Sequence, residues 1–388
     1  MKIWKRALPL GIASLMLAAT PFAALAASPE FARSEEEWAR LRDDKIEYGE
    51  LAELIHEYNA TVQKNNIDYN EFRKEYGDTR DEVAERYREL ASELQDDMEY
   101  PDIDDDNYAS LMTKIISNEQ SIKDYNKTAD KNVEDSYVKY MTNLQTEANL
   151  VSTAQTEMIS FYQNQLQLQI DQKNRELLEA NRQSAVNRLG LGLATETGVL
   201  TAEEELRTND QALQTAQSAI DTGRQKLFVM LGWKSDANPE IGEIPAVDEN
   251  AIAAMNPVTD KEQALLNNYT LLINKRKLEN ARSQDTKDTL ETTIRENEAN
   301  IGASLTASYQ NVLAAKTAHE LAVAQSGLEQ KNFETAQRQF GLGQIGQLDY
   351  TKQKVTTETA QLNVSVTELK LFQAVQSYEW AVNGLAGA

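Results

Sequence analysis

The chain has 388 residues, with 62 Asp+Glu against 39 Lys+Arg, two His and no Cys. The absence of cysteine excludes a disulfide framework, a thiol nucleophile and cysteine-ligated zinc, and two imidazoles exclude a multi-histidine metal centre. A formal charge of −23 argues against a nucleic-acid partner, because phosphate binding needs a basic surface.

In chain order, Lys2, Lys5 and Arg6 precede an apolar run over 7–19. Pro21 ends the run and Ala24-Leu25-Ala26 supplies a small-x-small cleavage pattern, so residues 1–26 are expected to be a secretory signal peptide. The run is short of the ~20 residues that a membrane span needs. No cysteine follows for a lipid anchor, and no later stretch approaches 18 consecutive apolar residues.

The remaining prolines are Pro29, Pro101, Pro239, Pro245 and Pro257, so 102–238 and 258–388 contain none. Proline inside a helix costs ~3 kcal/mol or more, so these are the stretches where very long helices are allowed. Seven Pro and sixteen Gly are in any case too few for a turn-rich all-β fold, and abundant Ala, Leu, Glu, Gln and Lys favour helix. The three prolines within 234–257 mark a linker between a first helical repeat, 27–233, and a second, 258–388.

Leu51, Leu54, Ile55, Tyr58 and Val62 start an apolar stripe at 3/4 spacing. Tyr137, Met141, Leu144, Ala148, Val151, Met158, Tyr162, Leu166 and Ile170 form a longer one. The pattern predicts a helix over 107–187, ~120 Å long at ~1.5 Å per residue. A coiled coil, a helical tube or a fibre can hold such a rod; a compact globule cannot. The acids of 102–106 are expected to cap its N-terminus. Asp102-x-Asp104-x-Asp106 fails as a calcium loop, with Asn107 where glycine is needed and Thr113 where a bidentate Glu belongs. The acidic runs at 34–37 and 203–205 read as solvated faces, with a lumen lining as the lesser reading. His56 and His319 read as ordinary helix residues. No nucleophile–base set, phosphate loop or paired catalytic carboxylate is present, so the sequence points to no enzyme, no cofactor and no metal.

Two glycine clusters interrupt the long stretches: Gly190, Gly192 and Gly198 in the first repeat, and Gly341, Gly343 and Gly346 in the second. Glycine just past a helix end supplies the left-handed conformation of a C-cap. Thr195 or Thr197, and Asp349, are candidate N-caps of the returning helices. Each cluster therefore predicts a tight turn between antiparallel helices. The clusters align at an offset of 151, pairing Gly190 with Gly341, Gly192 with Gly343 and Val199 with Tyr350. Asn59-Ala60-Thr61-Val62 likewise matches Asn268-Tyr269-Thr270-Leu271, which indicates a tandem repeat.

With the closing Leu231-Gly232-Trp233 and Asn383-Gly384-Leu385, these features together resemble the TolC-like outer-membrane efflux ducts over the whole chain after the signal peptide. The resemblance implies an all-α fold of two tandem repeats, whose very long antiparallel helices are the staves of a homotrimeric α-helical barrel. It implies docking on a periplasmic adaptor (membrane fusion) protein and, through it, an ABC- or RND-type pump, in the cell envelope. The docking tips carried over are Leu191, Gly192 and Leu193, and Leu342, Gly343 and Gln344. The positions matching the family's charged gate are Gly198, Phe340 and Ile345, which cannot make a polar network. Phe340 and Ile345 are expected instead to form an apolar pore constriction. The sequence also departs from the family where a membrane β-hairpin belongs in each repeat. Neither 96–108 nor 282–300 shows the ~9–11-residue alternation of a lipid-facing strand. Little or no β-strand is expected, and outer-membrane spanning is placed in doubt. The competing reading is a secreted coiled-coil structural or surface-fibre protein.

Overall fold

The computed structural model describes residues 33–104, 106–234 and 237–388; the expected signal peptide lies outside them. The chain divides into two units, Met1–Asp43 and Asp44–Ala388. Within the first, α1 (Glu35–Leu41) begins with a capping box: the Glu37 amide donates to Ser34 Oγ, and Glu37 Oε2 accepts from the Ser34 amide at 2.7 Å. The acids at 35–37 are exposed.

The second unit is almost wholly helical. In order it runs β1 (Lys45–Ile46), a 3₁₀ turn (Tyr48–Glu50), α2 (Leu51–Tyr58), α3 (Ala60–Tyr76), α4 (Arg80–Asp96), α5 (Tyr108–Lys131), α6 (Ser136–Gly190) and α7 (Glu196–Met230). Then follow β2 (Glu240–Ile241), α8 (Glu249–Ala254), α9 (Asp260–Asn267), α10 (Tyr269–Asn280), α11 (Gln284–Gly341), α12 (Gln347–Trp380) and a π turn (Ala381–Leu385). β1 and β2 form a parallel two-residue bridge, Lys45 with Glu240 and Ile46 with Ile241. These are the strands found among the described residues, as the sparse Pro and Gly content predicts. No described helix is long and apolar enough to cross a membrane.

Four helices are long. α6 has 55 residues and α11 has 58, so each runs more than ~80 Å. α6 returns as α7, α11 returns as α12, and the two hairpins join along α6 and α12. The staves therefore lie in the order α7, α6, α12, α11. The α6–α12 seam is held by Lys173–Glu358 and Lys354–Glu176, both at 2.8 Å. Nearer the middle it is held by Gln163–Gln373 and by Trp380 Nε1 donating to Gln155.

The core sits where the repeats begin and end. Ile301, Leu305, Leu271, Leu371 and Tyr378 fill the second-repeat cluster, with Ile252 of α8 packed into it. Leu51, Leu54, Ile55, Leu227 and Leu231 are fully buried in the first repeat. Residues 234–257 are thus no free tether: β2 pairs with β1, Tyr162 Oη donates to the Ile241 carbonyl at 2.8 Å, and α8 enters the core.

The two repeats open in the same way. Asn59 caps α3, its Oδ1 accepting from the Thr61 and Val62 amides, while its Nδ2 donates to the Met230 carbonyl at 2.8 Å. Asn268 caps α10 through the Leu271 amide and donates to the Ala386 carbonyl at 2.9 Å. Both asparagines are buried, and each clasps the start of its repeat to its end.

The helix expected over 107–187 is instead two, α5 and α6, broken at 132–135. Asn132 is buried; it donates to the carbonyls of Arg80 and Glu134 and accepts from the Glu134 amide. Asp135 caps α6 through the Val138 amide and also accepts from Arg276 Nε and Asn280 Nδ2 of α10. Short polar side chains here offer the backbone an alternative to the helix ladder. The N-cap residue of α5 is Asn107, and not one of the acids expected there; it makes no side-chain cap bond. α4 and α5 form a helical hairpin over the segment where a first β-hairpin was looked for. The second such segment is crossed by a break at 281–283, capped by Ser283.

Candidate functional site: the two glycine turns

α6 ends in a turn built by its own backbone. The Leu193 amide donates to the Arg188 carbonyl at 2.8 Å and the Gly192 amide to the Leu189 carbonyl at 2.9 Å. The second turn repeats this: Gln344 donates to Gln339 at 2.8 Å and Gly343 to Phe340 at 2.9 Å. This is the Schellman arrangement, which needs a left-handed residue at the pivot. Gly192 has φ +72° and Gly343 φ +69°, so glycine serves both turns for the same reason. The offset of 151 read from the sequence therefore relates two turns of one geometry.

The returning helices start differently. Thr195 caps α7, its Oγ1 accepting from the Gly198 amide. The N-cap of α12 is Gly346, not Asp349. Asp349 lies in the first turn, where a negative charge favours the N-terminal dipole without a capping bond.

The turns concentrate apolar surface. Leu191 is 73% exposed, Leu193 65% and Leu342 74%, and Gln344 is also exposed. Val186, Leu189 and Leu200 extend the first patch, and Phe340 the second. Seven of the twenty exposed large apolar side chains among the described residues thus lie at these two short ends. A Cβ built on Gly192 or Gly343 meets nothing within 4 Å, so each turn faces open space. Val186, Leu189 and Leu200 escaped the sequence reading, although the spacing of Val186 and Leu189 puts both on one face of α6.

The expected constriction residues are not gathered into one contact. Phe340 stacks on Tyr350 of its own hairpin, ring centroids 4.7 Å apart and 21° from parallel, and Tyr350 also lies against Phe333 at 5.7 Å. Ile345 is half-buried in the same turn. Gly198 is exposed in the first turn of α7, on the other hairpin. Among the described residues, no hydrogen bond or ion pair links the two turns.

Charged side chains tie the staves together behind the turns. Arg182–Glu203 and Arg175–Asp210 join α6 to α7. Lys354 sits between Glu176 and Glu358, and its hydrogen bond to Glu176 holds the ammonium above the usual lysine range. The sequence carries this seam as acids three and four residues from lysines, a pattern that also reads as a solvated face. The two histidines also join helices: His56 Nδ1 lies 2.8 Å from Glu147 of α6, and His319 Nδ1 lies 3.2 Å from Thr367 of α12.

No family profile and no curated protein matches this sequence. Solved structures do match it in fold. The outer-membrane channel OprN is 12% identical with a TM-score of 0.55, covering 94% of this chain and 97% of that one. The CmeC outer membrane channel of Campylobacter jejuni is 7% identical with a TM-score of 0.52, covering 90% and 88%. The outer membrane protein VceC of Vibrio cholerae is 9% identical with a TM-score of 0.51, covering 87% and 96%. The chain has the all-α fold of the TolC-family outer-membrane efflux channels, over nearly its full length.

Proposed function

We propose that the protein is a TolC-like export duct: a homotrimeric helical tube of the cell envelope that docks on an adaptor protein by its glycine turns. Through the adaptor it would receive substrates from an inner-membrane pump and conduct them out of the cell. The observation that carries the reading is the four-stave array, which ends in two identical backbone turns that bare Leu191, Leu193 and Leu342 to solvent. Soluble proteins rarely gather apolar side chains at an exposed end without a partner to cover them. Full-length likeness to outer-membrane channels points the same way. The array is also open. In the half nearer the turns, α7 has α6 as its stave neighbour and α11 has α12, so each keeps a face for another chain.

Phe340 and Ile345, with Gly198 opposite, remain the proposed apolar constriction, reached when several copies bring their second turns toward one axis. Electron microscopy of the purified protein tests the duct. A hollow tube of three copies is expected; a solid thin rod would replace this reading with the surface-fibre one.

A further inference from the structure

A cleft of about 530 Å³ opens at mid-height between α6, α7 and the linker, ~40 Å along α6 from the glycine turns. Its size falls within the ~300–1,000 Å³ of small-ligand sites. The linker forms one wall, with Asn238, the buried Pro239 and Ile241. That wall is fixed: Tyr162 Oη lies 2.8 Å from the Ile241 carbonyl oxygen and 3.0 Å from that of Gly242, and β2 is bonded to β1. The facing wall is α7. There Gln217 donates to Asp221 at 3.1 Å, and the Arg224 guanidinium sits over the Phe228 ring, 5.2 Å from its centroid. Phe161 and Ile220, both buried, make an apolar floor.

Three polar side chains that line the cleft are not used by the fold. Gln165 of α6, Asn238 of the linker and Arg224 of α7 make no side-chain hydrogen bond or ion pair among the described residues. They come from three separate elements, so only the fold brings them to one cleft.

The lining narrows the ligand. It holds two carboxylates, Asp221 and Glu240, against the one guanidinium of Arg224. An anion therefore meets more like charge than opposite charge. A cation must lie beside Arg224 and lose water over Phe161 and Ile220. A neutral ligand rich in hydroxyls meets neither cost. Each hydroxyl both donates and accepts. The planar amides of Gln165 and Asn238 set a donor beside an acceptor, the two acids accept, and Arg224 donates. The apolar floor takes out of water the C–H face that a sugar ring carries between its hydroxyls.

We propose that this cleft binds a short neutral oligosaccharide, with Gln165, Asn238 and Arg224 as its hydroxyl-binding groups. Bonds within the chain already hold the walls, so little freedom is lost on binding. The site stands apart from the glycine turns and does not depend on the duct reading.

Isothermal titration calorimetry of the full-length protein tests this with chitotriose, maltotriose and trigalacturonate. The first two are neutral and distinguish a β-linked amino-sugar polymer from an α-linked glucan as the source; the third is anionic. At least one neutral trisaccharide should bind saturably, one molecule per chain, and trigalacturonate should give no binding. Gln165→Ala and Asn238→Ala break no bond of the fold. Each should weaken that binding at least about fivefold, as the loss of one hydrogen bond does, and the pair together should abolish it. Circular dichroism should show the same helix content and melting temperature for each variant as for the wild type. No binding of either neutral probe at millimolar concentration overturns the proposal. So does binding that both variants leave unchanged, or tighter binding of trigalacturonate than of the neutral probes.

Discussion

The glycines at the turns and those at the repeat ends share a backbone conformation but not an environment, and alanine substitution separates the two. Gly192 (φ +72°) and Gly232 (φ +77°) both sit in the left-handed region, where an L side chain costs ~1–2 kcal/mol. At Gly192 the added Cβ meets nothing, so Gly192→Ala should cost that strain alone. At Gly232 the Cβ would lie 2.6 Å from Tyr58 Cβ and 2.7 Å from the Tyr58 carbonyl oxygen. Carbon atoms rest ~3.5–4.0 Å apart, so α2 and the end of α7 must part by about 1 Å. That movement strains the bond from Asn59 to the Met230 carbonyl, worth ~1 kcal/mol, and loosens the fully buried Leu227 and Leu231. We expect Gly232→Ala to cost ~3–4 kcal/mol, against ~1–2 for Gly192→Ala. Urea unfolding followed by circular dichroism reads the difference. Equal losses, within ~0.5 kcal/mol, would show that the repeat ends are not clamped by this approach and would refute the reasoning.

Asp135→Ala removes the α6 cap and takes from the buried Asn280 amide one of its two acceptors, leaving it the Val133 carbonyl. It should cost ~2–4 kcal/mol and speed hydrogen exchange at the start of α6, whereas Asp135→Asn should keep most of the cap. Leu191→Asp with Leu342→Asp should leave helix content unchanged and abolish adaptor pull-down; undiminished binding would make the glycine turns mere turn formers. Asp78 is held below the ordinary aspartate range, first by its hydrogen bonds from Arg73. Its contribution is therefore present above the unfolded aspartate pKa and lost as pH falls through the lower folded value, so Asp78→Asn should flatten the acid limb of a stability–pH curve.

Much of this architecture was legible in the sequence, because its causes are local. Absent proline permits long helices, and glycine at a fixed offset marks two turns with the same hydrogen bonds. The paired Asn59 and Asn268 segments carry their role in the residue itself, since asparagine both caps a helix and donates sideways. The break at 132–135 was not legible. Asn and Asp cost a helix well under ~1 kcal/mol each, so the stripe reads straight through them. What stops the helix there is Arg80 from an earlier hairpin and Arg276 and Asn280 from the other repeat, brought together only by the fold. The stacking of Phe340 on Tyr350 is equally remote from any periodicity, because it depends on the two helices meeting at that height.

The distribution of these contacts divides the molecule mechanically. At mid-height Asn59 and Asn268 clasp both repeats, the linker is pinned to α6, and Trp380 bonds across the seam. Toward the turns the seam thins to two lysine–glutamate contacts, Lys173–Glu358 and Lys354–Glu176. Beyond Glu176 and Lys354, among the described residues, no hydrogen bond or ion pair joins one hairpin to the other. Each hairpin end is held within itself, the first by Arg182–Glu203 and the second by the Phe333–Tyr350–Phe340 stack. The final ~15–25 Å of the two hairpins can therefore move as separate rigid tips about a fixed middle. The cross-stave bonding thus places stiffness at mid-height and freedom at the turns, which is the order that the proposed docking at the turns calls for.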